Sequence, residues 1–188
     1  MLHDITLLKS GIYLYADPFL DESPFRRSVI FLAMHNHTGS VGFMLQKQMA
    51  FELNQLIKEP INSYFPVYYG GPVNTDSLFY IHGLGDQIPG GQKIVDDLRL
   101  GGDFNSLLAA MESGHLTQQN IKFFVGYTGW STGQLEGEME EKSWIIAEES
   151  PSVLWLQQKY AQMWMDKMKS LGPPYSIWGG YSAVPSFN

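Results

Sequence analysis

The segment Gly126-Tyr-Thr-Gly-Trp-Ser-Thr-Gly-Gln-Leu-Glu-Gly-Glu138 constrains this fold more than any other stretch. Glycine takes positive φ without penalty and lets a second backbone come close. Four glycines among two large rings therefore demand a sharp bend beside a packed core. The apolar run Ile121-Lys-Phe-Phe-Val125 reads as a strand feeding that bend. Ser131-x-x-Gln134 has the pattern of a capping box, which predicts a short helix over 132–140.

The remaining elements follow from periodicity and punctuation. Ile12–Ala16, bounded by Gly11 and Pro18, reads as a strand. Ser28–Met34 is a continuous apolar run and reads as a strand buried on both faces. His35-Asn-His-Thr-Gly39 is a turn, and Ser40–Leu45 returns antiparallel. Further strands are expected at Val67–Tyr69, Leu78–Ile81, Lys93–Val95 and Trp144–Ala147, with a short helix over Phe51–Ile57. Asp103 is a natural N-cap for a helix that buries Phe104, Leu107, Leu108 and Met111 and stops at Ser113-Gly114. Ser150-Pro151 opens a last helix, stopped by Gly172 and Pro173-Pro174. Strands arrive in hairpins before helices intervene, which predicts an α+β domain over residues 1–188 with a largely antiparallel or mixed sheet.

Composition narrows the function classes. A net charge of −7 repels polyphosphate and disfavours direct nucleic-acid binding. With no cysteine, disulfides and thiolate chemistry are excluded, and the chain suits a reducing cytosol. The first nine residues lack the layout of a signal peptide, and no apolar stretch reaches the roughly 20 residues of a membrane span. A cytoplasmic protein is the expectation.

Several separated pieces, in order, resemble the YqgE/AlgH family. They are Gly11-x-x-Leu14-x-Ala16-x-Pro18, Phe25-x-Arg27-Ser28-Val29, His35 with Gly39-x-x-Gly42-x-x-Leu45, Gly70-Gly71-Pro72-Val73, and the segment from Gly126 to Glu138 with Trp144 beyond it. The chain departs from the usual family pattern at Gln46-Lys47, Thr128 and Ser131-Thr132. The resemblance implies a bifurcated sheet curled into a pseudo-barrel with helices outside. It implies little about activity; some members are labelled transcriptional regulators, which denotes a pathway effect rather than DNA contact.

The candidate chemistry is sparse. Clustered glycine turns could offer free amides to an anion. They define an expected ligand pocket of Arg27, Ser28, His35, Gly70, Gly71, Gly126, Gly129, Trp130, Gln134 and Glu136 for a small anionic ligand or a protein segment. Glu136 is expected to pair with Arg27. Glu136 and Glu138 diverge by about 200° on a helix, against a paired-carboxylate site. His35-x-His37 has too few companions for a metal centre. Ser28 with His35 or His82 admits a hydrolase reading, but Ser28 lacks a nucleophile elbow. No catalytic residue, metal ligand set or cofactor is assigned. The leading expectation is a binding or regulatory module.

Overall fold

The computed structural model describes residues 2–59, 61, 64–147 and 160–180. Among these residues ten strands make one sheet: β1 Ile12–Ala16, β2 Val29–Asn36, β3 Gly39–Met44, β4 Gln48–Glu52, β5 Pro66–Tyr69, β6 Val73–His82, β7 Gln92–Val95, β8 Leu98–Leu100, β9 Ile121–Ser131 and β10 Trp144–Ala147. The α-helices among the described residues are α1 Phe104–Glu112, α2 Gln134–Glu140, α3 Met163–Ser170 and α4 Tyr175–Gly180. The fold is α+β, and β5 against β9 is the one parallel pairing among the described residues.

Strand alternation divides the core. In β1 and β2, Tyr13, Tyr15, Val29, Phe31 and Ala33 face one side, where Tyr160, Trp164 and Met168 cover them. Ile12, Leu14, Ala16, Ile30 and Leu32 face the other, under Trp130, Trp144 and the α2 residues Leu135 and Met139. Both faces are covered, so these strands are apolar throughout. A third cluster joins Leu107 and Met111 of α1 to Val67, Phe123 and Ile121. α1 begins as expected, with the Asp103 carboxylate accepting from Ser106 N at 2.7 Å.

β9 is the pivot. One edge pairs with β6 from Ile121 to Tyr127. The other pairs with β5 over Phe123–Val125, then with β3 over Thr128–Ser131. The sheet therefore forks at Gly126, which lies between the two pairings. The strand path runs from β10 to β7, and these ends do not pair. The sheet is not closed into a barrel, so the curled pseudo-barrel expected from the resemblance is not carried by the strand pairing.

Other expectations shift. Phe51 and Glu52 belong to β4, and only Leu53–Gln55 is helical, as a 3-10 turn in which Glu52 and Gln55 cap each other. Apolar residues at 51, 53, 56 and 57 mimic a helical stripe, yet β5 draws the segment into the sheet. Lys93–Val95 lies within β7, which gains an unexpected partner in β8. Strand β9 runs six residues past Val125, through the expected corner, and α2 starts at Gln134. Ser150-Pro151 lies outside the described residues; the expected last helix is described only from Tyr160.

Candidate functional site

The glycines come first, because they decide whether a hollow exists. A Cβ on Gly70 would overlap the carbonyl oxygen of Gly126, and one on Gly126 would overlap the oxygen of Gly71. One on Gly71 would strike the backbone of Tyr127. Two backbone segments press together here, and side chains would hold them apart. The polar groups are engaged: Gly70 N donates to Val125 O at 2.8 Å, and Gly70 O accepts from Met44 N at 2.9 Å and Thr128 Oγ1 at 3.3 Å. The glycines make the fork of the sheet.

Trp130 and Trp144 pack edge to face, 5.9 Å between centroids. Both are nearly buried, so each indole N–H needs an acceptor. One atom serves both: Glu138 Oε2 accepts from Trp130 Nε1 at 2.8 Å and Trp144 Nε1 at 2.7 Å. Its other oxygen accepts from Gln134 Nε2 at 3.0 Å. Gln134 in turn accepts from Ser131 N, one half of the expected capping box. Glu138→Leu leaves two indole donors unsatisfied and is expected to cost about 2–4 kcal/mol, with Glu138→Gln losing less. Thermal unfolding, followed by tryptophan fluorescence, measures both.

The expected pocket residues divide. His35 Nδ1 lies 2.8 Å from Ser40 Oγ, and His35 Nε2 lies 4.0 Å from Glu136 Oε1. A bulge between Leu32 and Met34 sets this register by placing His35 opposite Ser40. Gly129, Trp130, Gln134 and Glu136 share this end of the molecule. Arg27 does not. It precedes β2, with its guanidinium 5.1 Å from the Trp164 ring centre and its carbonyl accepting from Gln46 Nε2. The extended stretch of β2 from Val29 to His35, about 20 Å long, lies between it and that end of the molecule. Glu136 therefore sits beside His35, and the expected Arg27–Glu136 pair does not form.

The order serine, imidazole, carboxylate at Ser40, His35 and Glu136 invites a relay reading. Ser40 is 4% exposed and lies in the ladder between His35 and Trp130, so its hydroxyl has no open face for a substrate. Ser28 is also buried, as is His82. Leu84 N donates to His82 Nδ1, which leaves Nε2 to donate to Gly101 O at 3.1 Å. Burial, helped by nearby Arg99, holds the imidazole below its usual range, against the Gly101 contact. His37 is exposed in its turn. No group of three or more potential metal ligands occurs among the described residues.

A hollow lies elsewhere. About 410 Å³ opens between the chain after β1, the loop after α2, and α4. Phe19, Leu20, Pro174, Tyr175 and Trp178 line it, with Asp17, Glu141, Lys142 and Ser143 among them. Phe19 and Trp178 meet edge to face at 4.9 Å. Phe19 is 70% exposed, Ile177 54% and Trp178 41%. Phe19 is not among the residues of the expected pocket. A large ring placed after Pro18, outside any periodic segment, is the signal that could have drawn attention to it.

A forked, mostly antiparallel sheet with helices on its faces defines an α+β class that solved proteins share. The crystal structure of a Corynebacterium diphtheriae protein matches with TM-score 0.71 at 21% identity, covering 93% of both chains. The solution structure of the AlgH protein from Pseudomonas aeruginosa matches with TM-score 0.68 at 22% identity, covering 93% of this chain and 94% of that one. At that identity the likeness is one of fold. Sequence goes further. An AlgH-like family model matches residues 13–176. A UPF0301 protein of Bacteroides thetaiotaomicron is 37% identical over 95% of this chain and 90% of its own. One from Parabacteroides distasonis is 38% identical over 99% and 94%. The chain belongs to the AlgH-like (YqgE/AlgH) family. No helix among the described residues is long and apolar enough to cross a membrane.

Proposed function

We propose that this protein is a non-catalytic binding module that holds a short segment of a partner protein in the aromatic hollow beside α4. The exposed rings of Phe19 and Trp178, in contact with each other where they line the hollow, carry this reading. Leaving such rings in water is unfavourable, and clustered apolar surface rimmed by polar residues is characteristic of recognition sites. The proposal moves the binding surface away from the glycine turns, whose amides and carbonyls already serve the sheet.

Charge selects the partner. Glu141 stands exposed at the rim, the buried Asp17 carboxylate accepts from Phe19 N at 2.9 Å, Asp21 pairs with Arg26, Glu22 follows it, and the whole chain carries −7. Lys142 is the one cation among the lining residues. The fitting segment carries one aromatic or aliphatic anchor flanked by Lys or Arg. An effect on transcription, as the label of some relatives suggests, would on this reading run through that protein contact rather than through DNA.

Display of a random heptapeptide library against the purified protein tests this. Peptides with an apolar residue beside a basic one are expected to be selected and to bind with micromolar affinity. Phe19→Ser should weaken that binding about tenfold, ~1.4 kcal/mol. Selection of acidic peptides, or binding untouched by Phe19→Ser and Trp178→Ser, would overturn it.

A further inference from the structure

Lys122 occupies a position that lysine rarely takes. It lies on β9 opposite Ile81 of β6, and strand alternation puts it on the same face as Phe124, in the tyrosine-rich cluster. The residue is 5% exposed. Its Nζ lies 3.6 Å from the centre of the Tyr160 ring and 4.2 Å from that of Tyr68. Among the described residues no carboxylate pairs with it and no oxygen accepts from it. The groups around it are uncharged phenols, with Tyr13 and Tyr15 of β1 adjoining Tyr160. Tyrosine faces attract an ammonium ion, yet they replace only part of the water it gives up.

We propose that Lys122 is a covalent binding site, whose ε-amine forms a reversible imine with a small uncharged aldehyde or ketone. The nitrogen lone pair forms the C–N bond, and the carbonyl oxygen takes both amine hydrogens and departs as water, leaving C=N. The aromatic walls favour an uncharged carbonyl compound, and of the two rings Tyr68 is the more exposed. Burial pushes the amine down to about 7, so near neutral pH much of it is already the nucleophilic free base. An ordinary lysine at that pH is free base to about one part in 2,500. Burial also raises the Tyr160 hydroxyl, so the ring that faces the amine stays an uncharged phenol at the same pH.

Acetaldehyde with cyanoborohydride is the probe, applied to the native protein at pH 7 and read by peptide mass mapping. Lys122 is expected to be ethylated at least about tenfold faster than the mean of the other lysines, a discounted form of the roughly thousandfold advantage in free base. The preference should vanish in concentrated urea, where all the lysines are solvated alike. Ethylation of Lys122 no faster than the rest in the folded protein would overturn the proposal. So would a preference that persists in urea, because it would then owe nothing to the fold. The readout is independent of the peptide groove, so either proposal can fail alone.

Discussion

Gly126→Ala is expected to leave little folded protein. The added methyl overlaps the carbonyl oxygen of Gly71 and lies 3.0 Å from that of Val73. The position also has φ +71°, which disfavours any side chain. Neither neighbour yields cheaply, since both are backbone atoms, one in the turn from β5 to β6 and one at the start of β6. Relief would separate β6 from β9 and break the ladder where the sheet forks. The expected loss is at least about 4 kcal/mol, a large share of the stability of an ordinary domain. Gly137→Ala makes the matched control. It sits within α2 with nothing within 4 Å of the new atom, and is expected to gain about 0.5–1 kcal/mol. Urea unfolding of both variants decides the matter. A Gly126→Ala protein of native stability would show that the backbone crossing is looser than its geometry.

Lys122→Met is expected to act in the opposite direction. The wild-type protein forces an amine with an ordinary value of 10.5 down to about 7 by burial. A thioether of similar length fills the same space with no charge to desolvate. At pH 7 the variant should be more stable by about 3–4 kcal/mol. The pH dependence supplies a second check. Below about pH 7 the lysine is protonated whether the chain is folded or not, so it contributes no slope. Between about 7 and 10.5 the unfolded chain holds the proton that the folded one has lost. Wild-type stability should therefore climb with pH across that window, by up to about 1.4 kcal/mol per unit. Above about pH 10 the trend reverses, because burial raises the hydroxyls of Tyr68 and Tyr160 and the unfolded phenols ionise first. The variant should lose the rise and keep the fall. A wild-type curve flat from pH 7 to 10 would mean that Lys122 is not desolvated as its surroundings require.

The legible parts of the sequence were those whose cause is local. Ser28–Leu45 announced a hairpin through its apolar run and its turn, and Asp103 announced α1 through its cap. Phe51–Ile57 misled, because alternating apolar residues there serve one strand and one 3-10 turn. The candidate site was legible only in pieces. The divergence of Glu136 and Glu138 followed from helix geometry: one faces His35 and the other holds two indoles. That Arg27 stands far from Glu136 could not be read, because it depends on which end of β2 each neighbours. Lys122 passed as one letter within an apolar strand.

By itself the sequence determined the α+β class, the family, most strands, the cap of α1 and the absence of thiol chemistry. These rest on composition and on residues within a turn or two of one another, where backbone preference and side-chain period act directly. Tertiary structure alone decided that Gly70 meets Gly126, that one carboxylate serves two tryptophans, and that a lysine lies between two tyrosines. Each depends on strand register across a forked sheet. The energy that sets that register is spread over the whole core and written in no single segment.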